Sequence, residues 1–129
     1  MFVHIIHKYR KLDYKQLTVW KKSRELVSIL YDMTKDFPEV ERFGLIGQIR
    51  RAAISVPANI AEGCGRKTNN DTMRFLFIAR GSIYELETHL YLALDQAFIS
   101  SSQFNITDNK VIECRQLLSG FIRYFQNRE

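Results

Sequence analysis

The sequence predicts an all-α protein, an antiparallel up-down four-helix bundle. Three observations lead there. Apolar residues recur at three- and four-residue spacing in four long stretches, the period of a helix with one buried face. No alternating strand pattern of useful length interrupts them, residues 2–6 being the best and too short. The chain has 129 residues, 46% hydrophobic and 26% charged, with 6 Gly and 2 Pro, which suits one domain with one core.

The first helix is predicted over residues 17–37. Trp20, Ser23, Val27, Leu30, Tyr31 and Thr34 form its inner stripe, with Lys21, Lys22, Glu25 and Asp32 off it. Phe37-Pro38 stops it, because proline disfavours helix in the residue before it. The second is predicted over residues 39–62, with Leu45, Ile49, Ala52, Ala53, Val56 and Ile60 inward and Gly63-Cys64-Gly65 as its end. The third is predicted over residues 71–97, with Asn69, Asn70 and Asp71 offering capping oxygens. Its inner face is Phe75, Ala79, Ser82, Ile83, Leu86, Leu90 and Ala93. The fourth is predicted over residues 107–126, with Val111, Cys114, Leu117, Leu118, Phe121, Ile122 and Phe125 inward. Residues 98–105 are then the longest loop. Residues 1–13 are expected to be either a basic, flexible arm or an over-extended start, and residues 14–129 the bundle domain.

The formal charge is +5 and the pI about 9.4, which favours an anionic partner such as nucleic acid. The excess is uneven. Lys8, Arg10, Lys11 and Lys15 outweigh Asp13 at the start, and Arg42, Arg50, Arg51, Arg66 and Lys67 outweigh Glu39, Glu41 and Glu62 around the second helix. The third helix is net acidic, with Asp71, Glu85, Glu87 and Asp95 against Arg74 and Arg80. No apolar run approaches the ~20 residues of a membrane-spanning helix. Cys64 and Cys114 have no CxxC partner, which excludes a disulfide framework and a four-thiolate zinc site and fits reduced thiols in a cytoplasmic protein.

The second helix carries a polar seam beside its apolar stripe. Gln48, Ser55, Asn59 and Glu62 fall on one face, and Pro57 interrupts the pattern and is expected to kink the helix. Ser55 and Asn59 flank the carbonyl of Ala53 that Pro57 frees, and are expected to help satisfy it. The seam reads either as a helix–helix or subunit contact, with Glu62 neutralised by an arginine, or as a ligand contact. Arg50 and Arg51 point about 100° apart. One is expected to pair with Glu85 or Glu87 of the third helix, leaving the other free for phosphate.

The string Gln48-Ile-Arg-Arg-Ala-Ala-Ile-Ser-Val-Pro-Ala-Asn-Ile-Ala-Glu-Gly63 closely resembles the signature of the four-helix-bundle proteins encoded in intervening sequences of bacterial 23S rRNA genes. Leu17-Thr-Val-Trp20, Phe37-Pro38 with Glu41, Gly44-Leu45 and Ala79-Arg-Gly-Ser-Ile-Tyr-Glu-Leu-Glu87 fit the same family. The likeness runs over residues 14–125. It implies a bundle assembled as a ring-like homopentamer, in a family with no established activity. More distantly the chain resembles the accessory variability proteins of diversity-generating retroelements, basic pentameric bundles that bind nucleic acid and the reverse transcriptase. Phe2, Tyr14, Phe43, Tyr84, Tyr91 and Phe104 fall off the inner stripes and are available for such an assembly.

Catalytic and metal signatures do not accumulate. The histidines are His4, His7 and His89, and there is no HExxH, no Glu-x-x-His pair and no Gly-x-Ser-x-Gly elbow. Gly65-Arg-Lys-Thr68 lacks the glycine before the lysine that a phosphate loop needs. No cofactor or metal is expected. The leading expectation is a non-enzymatic, oligomeric nucleic-acid-binding protein, RNA before DNA, with Lys21, Lys22, Arg24, Arg50, Arg51, Arg66 and Lys67 as its electrostatic contact set. The alternatives are an oligomeric scaffold for a protein partner and, less favoured, an enzyme with a pocket at the second helix. Gln48, Ser55, Asn59, Glu62 and Glu85 are expected to be structural.

Overall fold

In the computed structural model, which describes residues 12–128, the chain forms four α-helices and two short 3-10 turns, with no strand among the described residues. The helices are α1 (Thr18–Thr34), α2 (Leu45–Cys64), α3 (Asn69–Asp95) and α4 (Ser101–Gln126). The 3-10 turns are Tyr14–Gln16 and Glu39–Glu41. Helix α2 packs between α1 and α3, and α4 closes the bundle against α3 and α1. The expected arm, residues 1–13, lies almost wholly outside the described residues.

The inner faces follow the predicted period with local shifts. Helix α1 buries Val19, Ser23, Leu26, Leu30 and Thr34, so its inward stripe runs through Leu26 rather than Val27. Tyr31 is exposed, held over the guanidinium of Arg50. Ile49, Val56 and Ile60 of α2 meet Leu76, Ile83, Leu86 and Leu90 of α3 in one core with Val111, Leu118 and Phe125 of α4. Each such fully buried side chain contributes roughly 1.5–3 kcal/mol.

The helix ends depart from the sequence reading for identifiable reasons. Residues 39–41 form a 3-10 turn instead of opening α2, and the Glu41 carboxylate accepts from the Leu45 backbone N–H at 3.0 Å. That bond satisfies a donor the new helix would otherwise leave unpaired. Helix α3 is capped by Thr68, whose Oγ1 accepts from the Asp71 N–H at 3.1 Å, and not by Asn69, Asn70 or Asp71. Helix α4 starts at Ser101, well before residue 107. A capping box sets that start: Ser100 Oγ accepts from the Gln103 N–H at 3.1 Å, and Gln103 Oε1 accepts from the Ser100 N–H at 2.8 Å. The supposed long loop is thus mostly helix. Phe104 is buried, its ring 4.6 Å from that of Tyr91. Between α3 and α4 the chain turns through Ala97, which adopts the left-handed conformation (φ 60°).

Helix α2 stays continuous across Pro57. The Asn59 amide donates to the Ser55 carbonyl at 2.8 Å and to Ser55 Oγ at 2.9 Å, not to the carbonyl of Ala53. Asn59 and Ser55 are one turn apart, so the shorter reach wins. At its C-terminal end α2 lies very close to α3. Gly63 donates no side chain there, and its carbonyl accepts from Thr72 Oγ1 at 2.8 Å.

Candidate nucleic-acid interface

The cations nominated from the sequence divide into engaged and unengaged groups. Arg50 is half-buried and serves the bundle. Its Nε donates to Thr34 Oγ1 at 2.9 Å, Nη2 to the Tyr31 carbonyl at 3.3 Å, and its guanidinium lies 4.4 Å from the Tyr31 ring centre. It therefore fastens α2 to α1, and does not pair with Glu85 or Glu87 of α3. The facing end of α1 offers it a carbonyl, a hydroxyl and an aromatic face together. Arg51 is exposed and makes no ion pair among the described residues.

Arg66 is held in the turn after α2. It pairs with Glu62 at 2.8 Å and Asp71 at 3.6 Å and stacks on Phe75 at 4.4 Å. Its neighbour Lys67 is exposed without an ion pair among the described residues. Lys22 reaches Glu113 of α4 at 4.0 Å. Lys21 and Arg24 project from α1 into solvent, Arg24 lying 5.5 Å from the Trp20 ring centre.

A residue that the sequence reading did not nominate completes this region. Lys15, from the first 3-10 turn, joins Trp20, Lys21, Arg24, Glu25 and Ser28 around an open hollow of about 510 Å³. Trp20 is half-buried, its inner edge on the core and Tyr14 edge-on to it at 5.2 Å. The sequence signal was Arg24, four residues after Trp20 and on its side of the helix, with Lys21 about 100° further round. Assigning Trp20 wholly to the inner stripe concealed it.

The polar seam contracts to three groups. Ser82 Oγ of α3 donates to Ser55 Oγ at 2.8 Å, and Asn59 donates to Ser55. Gln48, Glu62 and Glu85 are exposed. Glu62 is paired with Arg66, and Glu85 Oε2 lies 3.5 Å from His89 Nε2. Ser82, absent from the expected set, supplies the cross-helix bond.

A second polar cluster joins α3 to α4. Arg115 Nη1 donates to Glu87 Oε1 at 2.9 Å, and the guanidinium packs 5.2 Å from the Tyr84 ring centre. Asp108 hydrogen-bonds Glu87. Loss of hydration pushes its carboxyl up to about 6, the Glu87 bond and charge add to the rise, and Arg115 opposes it. The Asp108 carboxyl thus keeps its proton into mildly acidic solution.

Cys64 and Cys114 are both buried free thiols, pushed up to about 11 chiefly by burial, so neither is a ready nucleophile. No group of three or more metal-ligating side chains occurs among the described residues, and no described helix is long and apolar enough to cross a membrane.

Among the described residues these features define an all-helical protein of four helices, with unpaired cations displayed on α1, α2 and the turn after it. A family model described as 23S rRNA-intervening sequence protein matches residues 15–120, and the chain belongs to that family. Its fold is similar to the crystal structure of a protein with unknown function from the S23 ribosomal protein family of Bacteroides thetaiotaomicron. The TM-score is 0.76 at 28% identity, over 81% of this chain and 98% of that one. No curated protein matches the chain.

Proposed function

We propose that this protein is a non-enzymatic, oligomeric, cytoplasmic nucleic-acid-binding protein that engages RNA through α1, the exposed side of α2 and the turn after it. The observation that carries the reading is the set Lys15, Lys21, Arg24, Arg51 and Lys67, cations exposed without a carboxylate partner among the described residues. Exposed unpaired cations attract phosphate and release its counterions. Arg50 belongs to the scaffold of this surface, and Lys22 and Arg66 contribute charge already partly met by Glu113, Glu62 and Asp71.

The bundle is read as antiparallel and up-down. Contacts between successive helices support this, because rising numbers on one helix meet falling numbers on the next. Gly63 meets Thr72 while Ser55 meets Ser82, and Glu87 meets Arg115 while Tyr91 meets Phe104.

Self-assembly, as the ring-like homopentamer that the family resemblance implies, is supported by the outer face of α3. Phe77, Ile78, Tyr84, Tyr91 and Leu92 are all exposed there, and Tyr84 and Tyr91 are each about half exposed. A run of large apolar side chains along one helix marks an interaction surface. A ring repeats the basic surface around its axis and multiplies a modest charge per subunit.

The test is an electrophoretic shift at low salt with RNA and with DNA, beside sedimentation. A salt-weakened complex from an oligomer is expected, reduced when Lys21, Arg51 and Lys67 are replaced by glutamate. No complex with either nucleic acid would transfer the assignment to a scaffold for a protein partner. A 15.2 kDa species alone at micromolar concentration would remove the oligomer.

A further inference from the structure

We propose that the hollow beside Trp20 is a base-binding site: it receives one nucleotide of a single-stranded nucleic acid, the base against the indole and the phosphates on Lys15, Lys21 and Arg24. This rests on the nucleic-acid reading above and adds to it a strand type and a contact to a base.

The hollow combines what such a ligand needs. It is open to solvent and holds about 510 Å³, room for one nucleotide that stays partly in water. Its lining holds three cations against one carboxylate, Glu25, with the Ser28 hydroxyl as a further donor. Lys15 and Lys21 have no ion-pair partner among the described residues, so phosphate would not compete with an existing bridge. Trp20 is fixed from behind by core contacts and from the side by Tyr14, so presenting its ring costs little further ordering. Arg24 lies over the indole at 5.5 Å, an exposed contact that an entering base would replace while the guanidinium turns to phosphate.

Strand type follows from access. A base in a duplex is stacked on both faces, whereas a base in a single strand can leave its neighbours and lie on an aromatic side chain. A duplex is expected to meet the same cations through phosphate alone.

Trp20 is the chain's only tryptophan, so its emission reports this site and nothing else. The full chain would be titrated at low salt with a dye-labelled, mixed-sequence RNA of about ten nucleotides, a length within the usual footprint of single-strand binders. Dye anisotropy and Trp20 emission are followed together. The same RNA annealed to its complement, and free mononucleotides, form the other arms.

Quenching by the single strand with the same midpoint as the anisotropy change is expected, with binding but no quenching by the duplex. The double variant Lys21→Gln, Arg24→Gln, at two exposed positions, should weaken the midpoint by about tenfold at unchanged melting temperature. Anisotropy that rises while emission stays constant would overturn the base site and leave the nucleic-acid reading standing, and so would an unchanged midpoint in the variant. No anisotropy change with single strand or duplex would overturn both. Quenching by free mononucleotides at the same midpoint as the strand would make the hollow a nucleotide pocket and overturn the strand assignment.

Discussion

One added methyl group should separate two glycines by sign. A Cβ on Gly63 would lie 3.0 Å from the Thr72 carbonyl oxygen and 3.2 Å from Phe75 Cβ, both on α3. The first of these is a backbone atom in a helix already tied to Gly63 by the Thr72 hydroxyl, so it cannot swing away. Relief requires α2 and α3 to separate slightly along a well-packed seam, and overpacking of that kind typically costs about 1–3 kcal/mol. Alanine regains up to about 1 kcal/mol of helix propensity over glycine. Gly63→Ala should therefore lose about 1–2 kcal/mol. At Gly81 nothing lies within 4 Å of the added carbon, so only the propensity acts. Gly81→Ala should gain about 0.5–1 kcal/mol. Urea unfolding measures both, at one fixed protein concentration because self-association would make stability concentration-dependent. The denaturation midpoints should move in opposite directions with unchanged slope. A Gly63→Ala protein as stable as the original, or more so, would refute the close approach of α2 and α3 as the reason for that glycine.

Three further outcomes follow from named contacts. Asn59→Ala should lower stability by about 1–2 kcal/mol, because it strips the Ser55 hydroxyl and carbonyl of a half-buried donor; equal unfolding midpoints would count against the seam as a structural element. Arg50→Ala should cost about 1 kcal/mol through the lost Thr34 and Tyr31 contacts and raise the α1 amide exchange rates, whereas Arg51→Ala should leave both nearly unchanged. Asp108 has a folded-state pKa raised from 3.8 to about 6, so the folded protein holds that proton more tightly than the unfolded chain. This group's contribution is fully present below 3.8 and is lost as pH rises through about 6. Asp108→Asn should raise the melting temperature at neutral pH and flatten its pH dependence across that window, and an unchanged pH profile would speak against the raised Asp108 carboxyl.

Helix identity was written locally. The three- and four-residue recurrence that places Leu30, Ile49, Ile60, Leu86, Leu90, Leu118 and Phe125 inward is a property of each segment alone, and all of them are buried. The start of α4 was also locally written, in Ser100 and Gln103, though the capping signal is only three residues long and the later Thr107-Asp108 competes with it. Partner choice was not local. Arg50 and Arg51 differ by a rotation along one helix, and only the position of α1 decides that Arg50 meets Thr34 and Tyr31 while Arg51 faces water. The same holds for Glu87, whose partners Asp108 and Arg115 come from α4. Trp20 shows the boundary most plainly. Its spacing marks it as inward, yet a side chain that large spans from core to surface, and only the packed neighbours determine which part of the ring remains in the hollow with Lys15, Lys21 and Arg24. Periodicity is carried by covalent order along one helix, whereas side-chain partners are chosen by which helices lie alongside, a property no single segment contains.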